Sequence, residues 1–452
     1  MTRKPPPHIL IAGGGVAAVE AVAALRALAG SLPRITLLAP EAELPQRPAS
    51  VATPFGFGPP PALPFADIQR HVAFDLRRGT LGRVDVDAHI AYDAAGEPLP
   101  YDALLVAIGA LPRPSLPGAI TFAGAADAPA VSEALERSAR LAFVLPKATG
   151  WSLPIYELAI MAATELRDQG REPEITLVTP EPAPLWLFGP EAGVAISDVL
   201  EQRGIALRTG APAVEVRPSE VVLANGDTVP ADAVIALPNL EGPAIPGLPA
   251  NSEGFIEVDA HGHVLGAEDV YAAGDATSFP LKQGGLATQQ ADAAAESIAA
   301  KLGAPVRPAP FSPIMRGLLL TGGAPLYLRS VLSPAGEPET TVGRPVRRPA
   351  SAVSQRALWW PPGKIAGRYL APLLSTARPP VLSTAQMQDL PAGPATGDRD
   401  DARELALLLA EEDAAVGDYG QALRALDAAA ALTGGVLPEE WAQRRARWLA
   451  VR

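Results

Sequence analysis

The chain has 452 residues, 37 Lys and Arg against 49 Asp and Glu, a net charge of −12 and no cysteine. That length holds several domains with sizeable cores, and the acidic balance argues against a broad electrostatic footprint for nucleic acid. Without cysteine there are no disulfides, thiolate metal sites or catalytic thiols, and five scattered histidines with no HExxH spacing give no metal signature.

The N-terminal segment passes through Pro5-Pro6-Pro7 straight into an apolar stretch, with no signal-peptide core. No uninterrupted run reaches the roughly 18 apolar residues of a membrane span. A cytoplasmic protein is expected, with contact at the inner face of a membrane left open. His8 to Ala12 predicts a strand, 16–29 an alanine-rich helix and Ile35 to Leu38 a second strand, which together make a βαβ unit. A proline-rich loop is expected over 44–64, and Tyr101 to Gly109 reads as a buried strand. A second such unit follows, with strands at 141–145 and 175–178 and a helix over 154–169. Asn225-Gly226 predicts a hairpin turn within 221–229, and Ala233 to Leu237 another buried strand. The chain then returns to the first unit through Val270 to Asp275 and a helix over about 285–302.

The expected fold class is α/β: two Rossmann-like three-layer domains, a C-terminal module and a helical tail. The first domain takes 1–115 and 240–305, the second 116–239 and the module 306–374. Residues 375–400, rich in Ser, Thr, Pro, Gly and Asp, read as a linker. The tail, 401–452, predicts helices at 402–416, 419–432 and 438–451. Its stretch from Gly417 through Ala422 to Ala429 resembles the second half of a tetratricopeptide repeat. Since about three repeats are needed for a stable groove, a hairpin docked on its own chain or a sister chain is expected, with partner recruitment as the alternative.

Gly13-x-Gly15-x-x-Ala18 lies where the first strand gives way to the first helix. The first glycine allows a tight turn, the second lets a pyrophosphate approach the backbone, and Ala18 lets helix and strand pack closely. The helix N-terminus, with Ala17 in its first turn, faces the phosphate charge. An acid is expected about twenty residues on, to hold the ribose. Ala39 occupies that place, and Glu41 is the candidate replacement; the alternative is a solvated surface glutamate.

With Val270-Tyr271-Ala272-Ala273-Gly274-Asp275, these motifs resemble the two-dinucleotide-binding-domain flavoproteins of the pyridine nucleotide–disulfide oxidoreductase superfamily. The chain is most similar to its sulfide:quinone oxidoreductase and flavocytochrome c sulfide dehydrogenase branch. The similarity runs through Gln46-Arg47-Pro48, 101–109, 153–157, 270–295 and 364–372, and covers residues 8 to about 374.

The resemblance implies a non-covalent FAD. Asp275, with Gly274, would meet its ribityl chain or phosphates, and Arg47 would neutralise its pyrophosphate. Ala107 and Gly109 would pass the adenosine half, and Leu81 would present backbone to the adenine. Gly285, Leu286 and Ala287 open a helix whose free N–H groups would face the flavin N1–C2=O edge. Glu157 would lie near the ring and relay protons, or else be an ordinary first-turn helix charge. Lys282 is the second catalytic candidate, or else a solvated loop charge. The rich apolar pair Trp359 and Trp360, with Lys364, Arg368 and Tyr369, reads as domain or dimer packing, with a membrane-interface belt as the alternative.

The second unit lacks a Gly-x-Gly-x-x-Gly turn. It reads Leu145-Pro146-Lys147-Ala148-Thr149-Gly150-Trp151-Ser152-Leu153-Pro154, so tight nicotinamide binding is not expected unless Lys147 and Thr149 hold phosphate in another way. The resembled branch uses cysteines, and this chain has none. The expected function is an FAD-dependent oxidoreductase without a redox cysteine, passing electrons from a small-molecule donor to a quinone or other small acceptor. The alternatives are an NAD(P)H-dependent flavin reductase and a flavoprotein scaffold that recruits a partner through its tail. Self-association into a homo-oligomer is expected, and no nucleic-acid partner.

Overall fold

The computed structural model describes residues 5–60, 62–147, 150–338, 351–359 and 363–377, and in the tail 407, 410, 411, 414, 419–432 and 437–451. The first sheet has five parallel strands in the order Val270–Ala272, Ala103–Val106, His8–Ala12, Arg34–Ala39, Asp75–Arg78. Ile9, Leu10, Ile11 and Ala12 are all buried, as a parallel strand covered on both faces requires. On one face lie the helices Val16–Ala29 and Gly284–Lys301, which meet along a seam of alanines including Ala18, Ala21, Ala291 and Ala294. The other face carries a small antiparallel sheet of Leu81–Asp85, Ile90–Asp93 and Pro98–Pro100. The order reverses at His8–Ala12, whose neighbours are the next strand in sequence and one that comes much later. Such switch points open a crevice beyond the strand C-termini.

The second sheet repeats the plan, with parallel strands ordered Ile120–Thr121, Ala233–Ala236, Arg140–Val144, Glu174–Val178, Ile205–Arg208. The Leu153–Asp168 helix packs on one face. The other face is covered by three antiparallel strands, two of which, Glu220–Leu223 and Thr228–Pro230, form the hairpin expected around Asn225-Gly226. Where the chain crosses between the units, Leu111–Arg113 pairs with Asn239–Glu241. A third sheet, Ile314–Leu319, Leu326–Val331 and Ser351–Ser354, is antiparallel and packs against the second unit.

Two local expectations are corrected. The stretch 44–64 is not only loop: Arg47–Phe55 forms a 3-10 helix, started by Pro48 and held by burial of Val51, Ala52 and Phe55. The Pro190–Gln202 helix was not anticipated, although Ala192, Ile196 and Leu200 recur at four-residue spacing and are buried.

In the tail, Tyr419–Leu432 and Glu439–Val451 pack together through Ala425, Leu426 and Trp441. Ala422 and Ala429 are buried as their size suggests; Gly417 lies outside the described residues. The tail meets the body at Arg368, whose Cζ would lie 3.2 Å from a Cβ placed on Gly420. Among the described residues no helix is long and apolar enough to cross a membrane.

Candidate functional site

At the first switch point the turn is fixed by close approach. Gly13 has φ +127°, and a Cβ on it would sit 2.1 Å from the Ala107 carbonyl oxygen. Its N–H donates to Leu38 O at 2.8 Å, and Ala107 N–H donates to Ala12 O at 2.7 Å. Gly15 differs. Its φ is −89°, and a Cβ there would meet nothing within 4 Å. No protein atom demands glycine at 15, so its bareness suits a bulky group brought against the backbone at a helix N-terminus, as a pyrophosphate is. Ala17 and Ala287 close on Gly274 (φ +78°), where a Cβ would lie 3.4 and 3.2 Å from their Cβ atoms. Gly13, Gly15, Ala17, Ala107 and Gly274 thus form one locus at the strand ends, with Ala18 buried in the helix seam and Gly109 (φ +79°) two residues past Ala107, and the cradle fits FAD.

Asp275 follows in the short 3-10 turn Gly274–Ala276, which Gln290 anchors by accepting from Gly274 N–H at 2.7 Å. Burial pushes its carboxyl upward, while Lys282 and then Arg47 pull it back. Lys282 is not a solvated charge: it is 8% exposed, its ammonium donates to Thr277 O, and it lies 3.9 Å from the centre of the Phe255 ring. Burial lowers its pKa from 10.5 to about 8, against the pull of Asp275 and Glu253. Between those values the unfolded chain binds more protons than the folded one, so this group adds stability as pH rises through that window. If Lys282 meets bound FAD, binding follows the opposite trend, because the cation is lost above about 8. Association of FAD with the apoprotein is expected to weaken as pH rises through that value. Lys282→Arg, which stays charged, should flatten the transition in a fluorescence titration; an unchanged transition would remove Lys282 from the site.

The helix after Lys282 departs from expectation. Gln283 caps it, its Oε1 accepting from Leu286 N–H at 2.8 Å, and Ala287 N–H already bonds to Gln283 O at 2.9 Å. Leu286 and Ala287 therefore do not offer free N–H groups. Gly284 and Gly285 lie ahead of the first helical hydrogen bond and are the donors at this end.

At the adenosine end, Gly79 N–H donates to Ala39 O at 3.0 Å, so 79–81 runs beside the end of the second strand; the Leu81 side chain is core. Ala39 is buried beneath Gly14, and Glu41 is exposed, with Arg78 at 3.9 Å.

A cavity of about 400 Å³ joins this locus to the second unit and the third sheet; its walls include Arg47, Glu157, Asp275, Lys282, Arg316 and Lys364. Glu157 is 1% exposed, and so is no surface helix charge. It accepts from Lys364 Nζ at 2.5 Å and from Leu320 N–H at 2.8 Å. Burial raises its carboxyl above the usual range, with Lys364 the main opposing influence. Trp359, Lys364 and Arg368 in the same region agree with packing rather than with a membrane belt. Lys364 is taken by Glu157, Arg368 pairs with Glu296 at 3.0 Å, and Trp359 is 1% exposed with its Nε1–H donating to Gly363 O. Trp360 lies outside the described residues.

At the second switch point, Pro146, Lys147, Gly150 and Trp151 line the cavity, and Ala148 and Thr149 lie outside the described residues. Sequence reasoning missed Glu181. Strand register places Leu38 opposite Ala12 in the first unit and Val178 opposite Val144 in the second, so Glu41 and Glu181 stand at matching places, three residues on. Glu181 is 0% exposed and accepts from Tyr156 Oη at 2.6 Å, Ser152 Oγ at 3.0 Å and Thr179 Oγ1 at 3.0 Å. The acid that could hold a second ribose is bonded into its own turn.

Residues 7–297 match the family model described as pyridine nucleotide-disulphide oxidoreductase. The ferredoxin reductase component of chlorobenzene dioxygenase from Cupriavidus sp. (strain PS12) is 29% identical over 329 residues, 66% of this chain and 75% of that one. The sulfide:quinone oxidoreductase of Aquifex aeolicus superposes with a TM-score of 0.65 at 18% identity, covering 77% of this chain and 87% of that one. A ferredoxin reductase for the CYP199A2 system from Rhodopseudomonas palustris gives 0.57 at 23%, covering 72% and 83%. Both structures share the fold with this chain. By its family model and the cradle at its first switch point, the chain belongs to the pyridine nucleotide-disulphide oxidoreductase family as an FAD-dependent oxidoreductase.

Proposed function

We propose that this oxidoreductase works without a redox cysteine and without a nicotinamide nucleotide at its second unit, and passes electrons to a quinone or other small acceptor through the cavity beside Glu157. The observation that carries the reading is Glu181, buried and bonded to Ser152, Tyr156 and Thr179. A nucleotide approaching that turn would meet Trp151 and Ser152 in place of glycine, and no free acid for its ribose.

FAD, when bound, supplies the two-electron chemistry. Gly13 and Gly15 would hold its pyrophosphate at the Val16–Ala29 helix, and Arg47 and Lys282 would add positive charge there. Lys364 Nζ donates an N–H proton into a hydrogen bond with Glu157 inside the cavity wall. A carboxyl raised by burial, next to an ammonium, can give or take that proton at a reacting atom placed against it. The apolar part of the wall, which includes Phe122, Trp151 and Leu318, suits a flat, weakly polar acceptor.

A second reading has its own support. The 29% identity to a ferredoxin reductase component favours an enzyme that takes electrons from NAD(P)H and hands them to a carrier protein. Anaerobic mixing separates the two. Excess NADH or NADPH is expected to leave the yellow protein unbleached over minutes, whereas dithionite-reduced protein should be reoxidised by a soluble quinone. Bleaching within seconds would establish the second reading. If neither happens, the scaffold alternative gains.

A further inference from the structure

We infer that Glu20 is a positioning residue for Lys364. This rests on the reading above, in which the Glu157–Lys364 pair faces the bound flavin. Residues 363–370 form a strap that leads into the Leu370–Ala377 helix. Three buried carboxylates hold it, each from a different helix: Glu157 takes Lys364, Glu296 takes Arg368, and Glu20 accepts from the backbone N–H groups of Tyr369 and Leu370, both at 2.7 Å. At the other end, Trp359 Nε1–H donates to Gly363 O at 3.1 Å. Lys364 is therefore carried on a segment pinned at Gly363 on one side and, on the other, by Glu296 at Arg368 and by Glu20 at Tyr369 and Leu370.

The Glu20 clip is the one that holds backbone by two bonds. A fully buried carboxylate accepting two successive N–H groups fixes both position and orientation, and such charge-assisted bonds are about twice as strong as neutral ones. Gly367 confirms how closely the strap is drawn down, since a Cβ there would lie 2.5 Å from Glu20 Oε2. Glu20 also sits on the helix whose N-terminus opens toward Gly15, so one rigid element sets both the phosphate cradle and the far end of the strap. Released at Glu20, the strap would keep its Trp359 and Arg368–Glu296 anchors but lose the two bonds that fix its backbone direction, and Lys364 would drift from Glu157.

The test uses the full-length holoprotein and the midpoint potential of its flavin as a function of pH, read from the visible spectrum. Lys364→Met should shift the potential and alter its pH slope, because it removes a cation from the cavity wall. Glu20→Gln, which loses charge at the clip, should reproduce at least half of that shift. So should Gly367→Ala, which pushes the clip apart from the strap side and keeps the test alive if Glu20→Gln folds poorly. The double variant Lys364→Met/Glu20→Gln should shift no further than Lys364→Met alone, as coupled residues do. If Lys364→Met shifts the potential but Glu20→Gln and Gly367→Ala only lower the melting temperature, Glu20 is structural and the inference fails while the functional reading stands. If Lys364→Met changes nothing, the pair does not face the flavin, and both fall.

Discussion

Gly13→Ala is expected to yield colourless, poorly folded protein, whereas Gly15→Ala should fold normally and still lose its colour. At Gly13 the added Cβ would sit 2.1 Å from a backbone oxygen, and φ is +127°. Backbone at that place cannot yield without breaking the Ala107-to-Ala12 and Gly13-to-Leu38 hydrogen bonds that join three strands. Such backbone strain costs about 1–3 kcal/mol, and overpacking adds about 1–3 kcal/mol more. Against a total stability of about 5–15 kcal/mol, that is a large share. Gly15 carries no such constraint: a Cβ there enters open space. FAD content by absorbance, read beside a thermal melt, separates the two effects. A Gly15→Ala protein with wild-type FAD content would mean that no phosphate lies against that residue.

The second large effect is expected at Glu157. Glu157→Gln keeps an acceptor for Leu320 N–H but can no longer exchange a proton with Lys364. Turnover should fall by about 10²–10⁴, the usual worth of a placed acid–base group, with FAD retained. Glu157→Leu should do more harm, since it leaves Lys364 facing an apolar wall; breaking one side of a buried ion pair costs about 3–5 kcal/mol. Single-turnover reoxidation of the reduced flavin by a quinone measures the first effect, and denaturant unfolding the second. Unchanged turnover in Glu157→Gln would reduce the pair to a structural tie.

The βαβ framework was legible because parallel strands buried on both faces are written as continuous apolar runs, such as Ile9 to Ala12 and Leu141 to Val144. Gly13 was legible because turn chemistry restricts residue choice there, and Gly15 because the dinucleotide fingerprint asks for bare backbone at that place. The pairings of Glu20, Lys364 and Glu181 were not, and Glu157 was reached only through the family resemblance. Glu20, Glu157 and Lys364 are defined by partners far along the chain, with Glu20 and Leu370 separated by 350 residues. A lone glutamate on a helix looks the same whether it faces water or caps a remote strap. The Trp359 neighbourhood left two readings for a related reason, since an aromatic pair followed by Lys and Arg describes a membrane belt and a buried, ion-paired corner equally well. Glu181 was recoverable in principle, by laying the Glu174–Val178 strand over Arg34–Ala39 and counting past each end.

The buried Glu181 has a consequence for how this chain could evolve or be redesigned. To admit NADH, residues 151 and 152 would have to shrink together, and Tyr156 and Thr179 would need new partners once the carboxylate swung outward. Replacing Ser152 alone, or turning Glu181 outward alone, leaves a buried hydrogen-bonding group unmatched and gains no ligand. If the chain excludes NADH as proposed, admitting it therefore requires several coupled changes, and the choice of electron donor is protected by the cooperativity of a single internal knot.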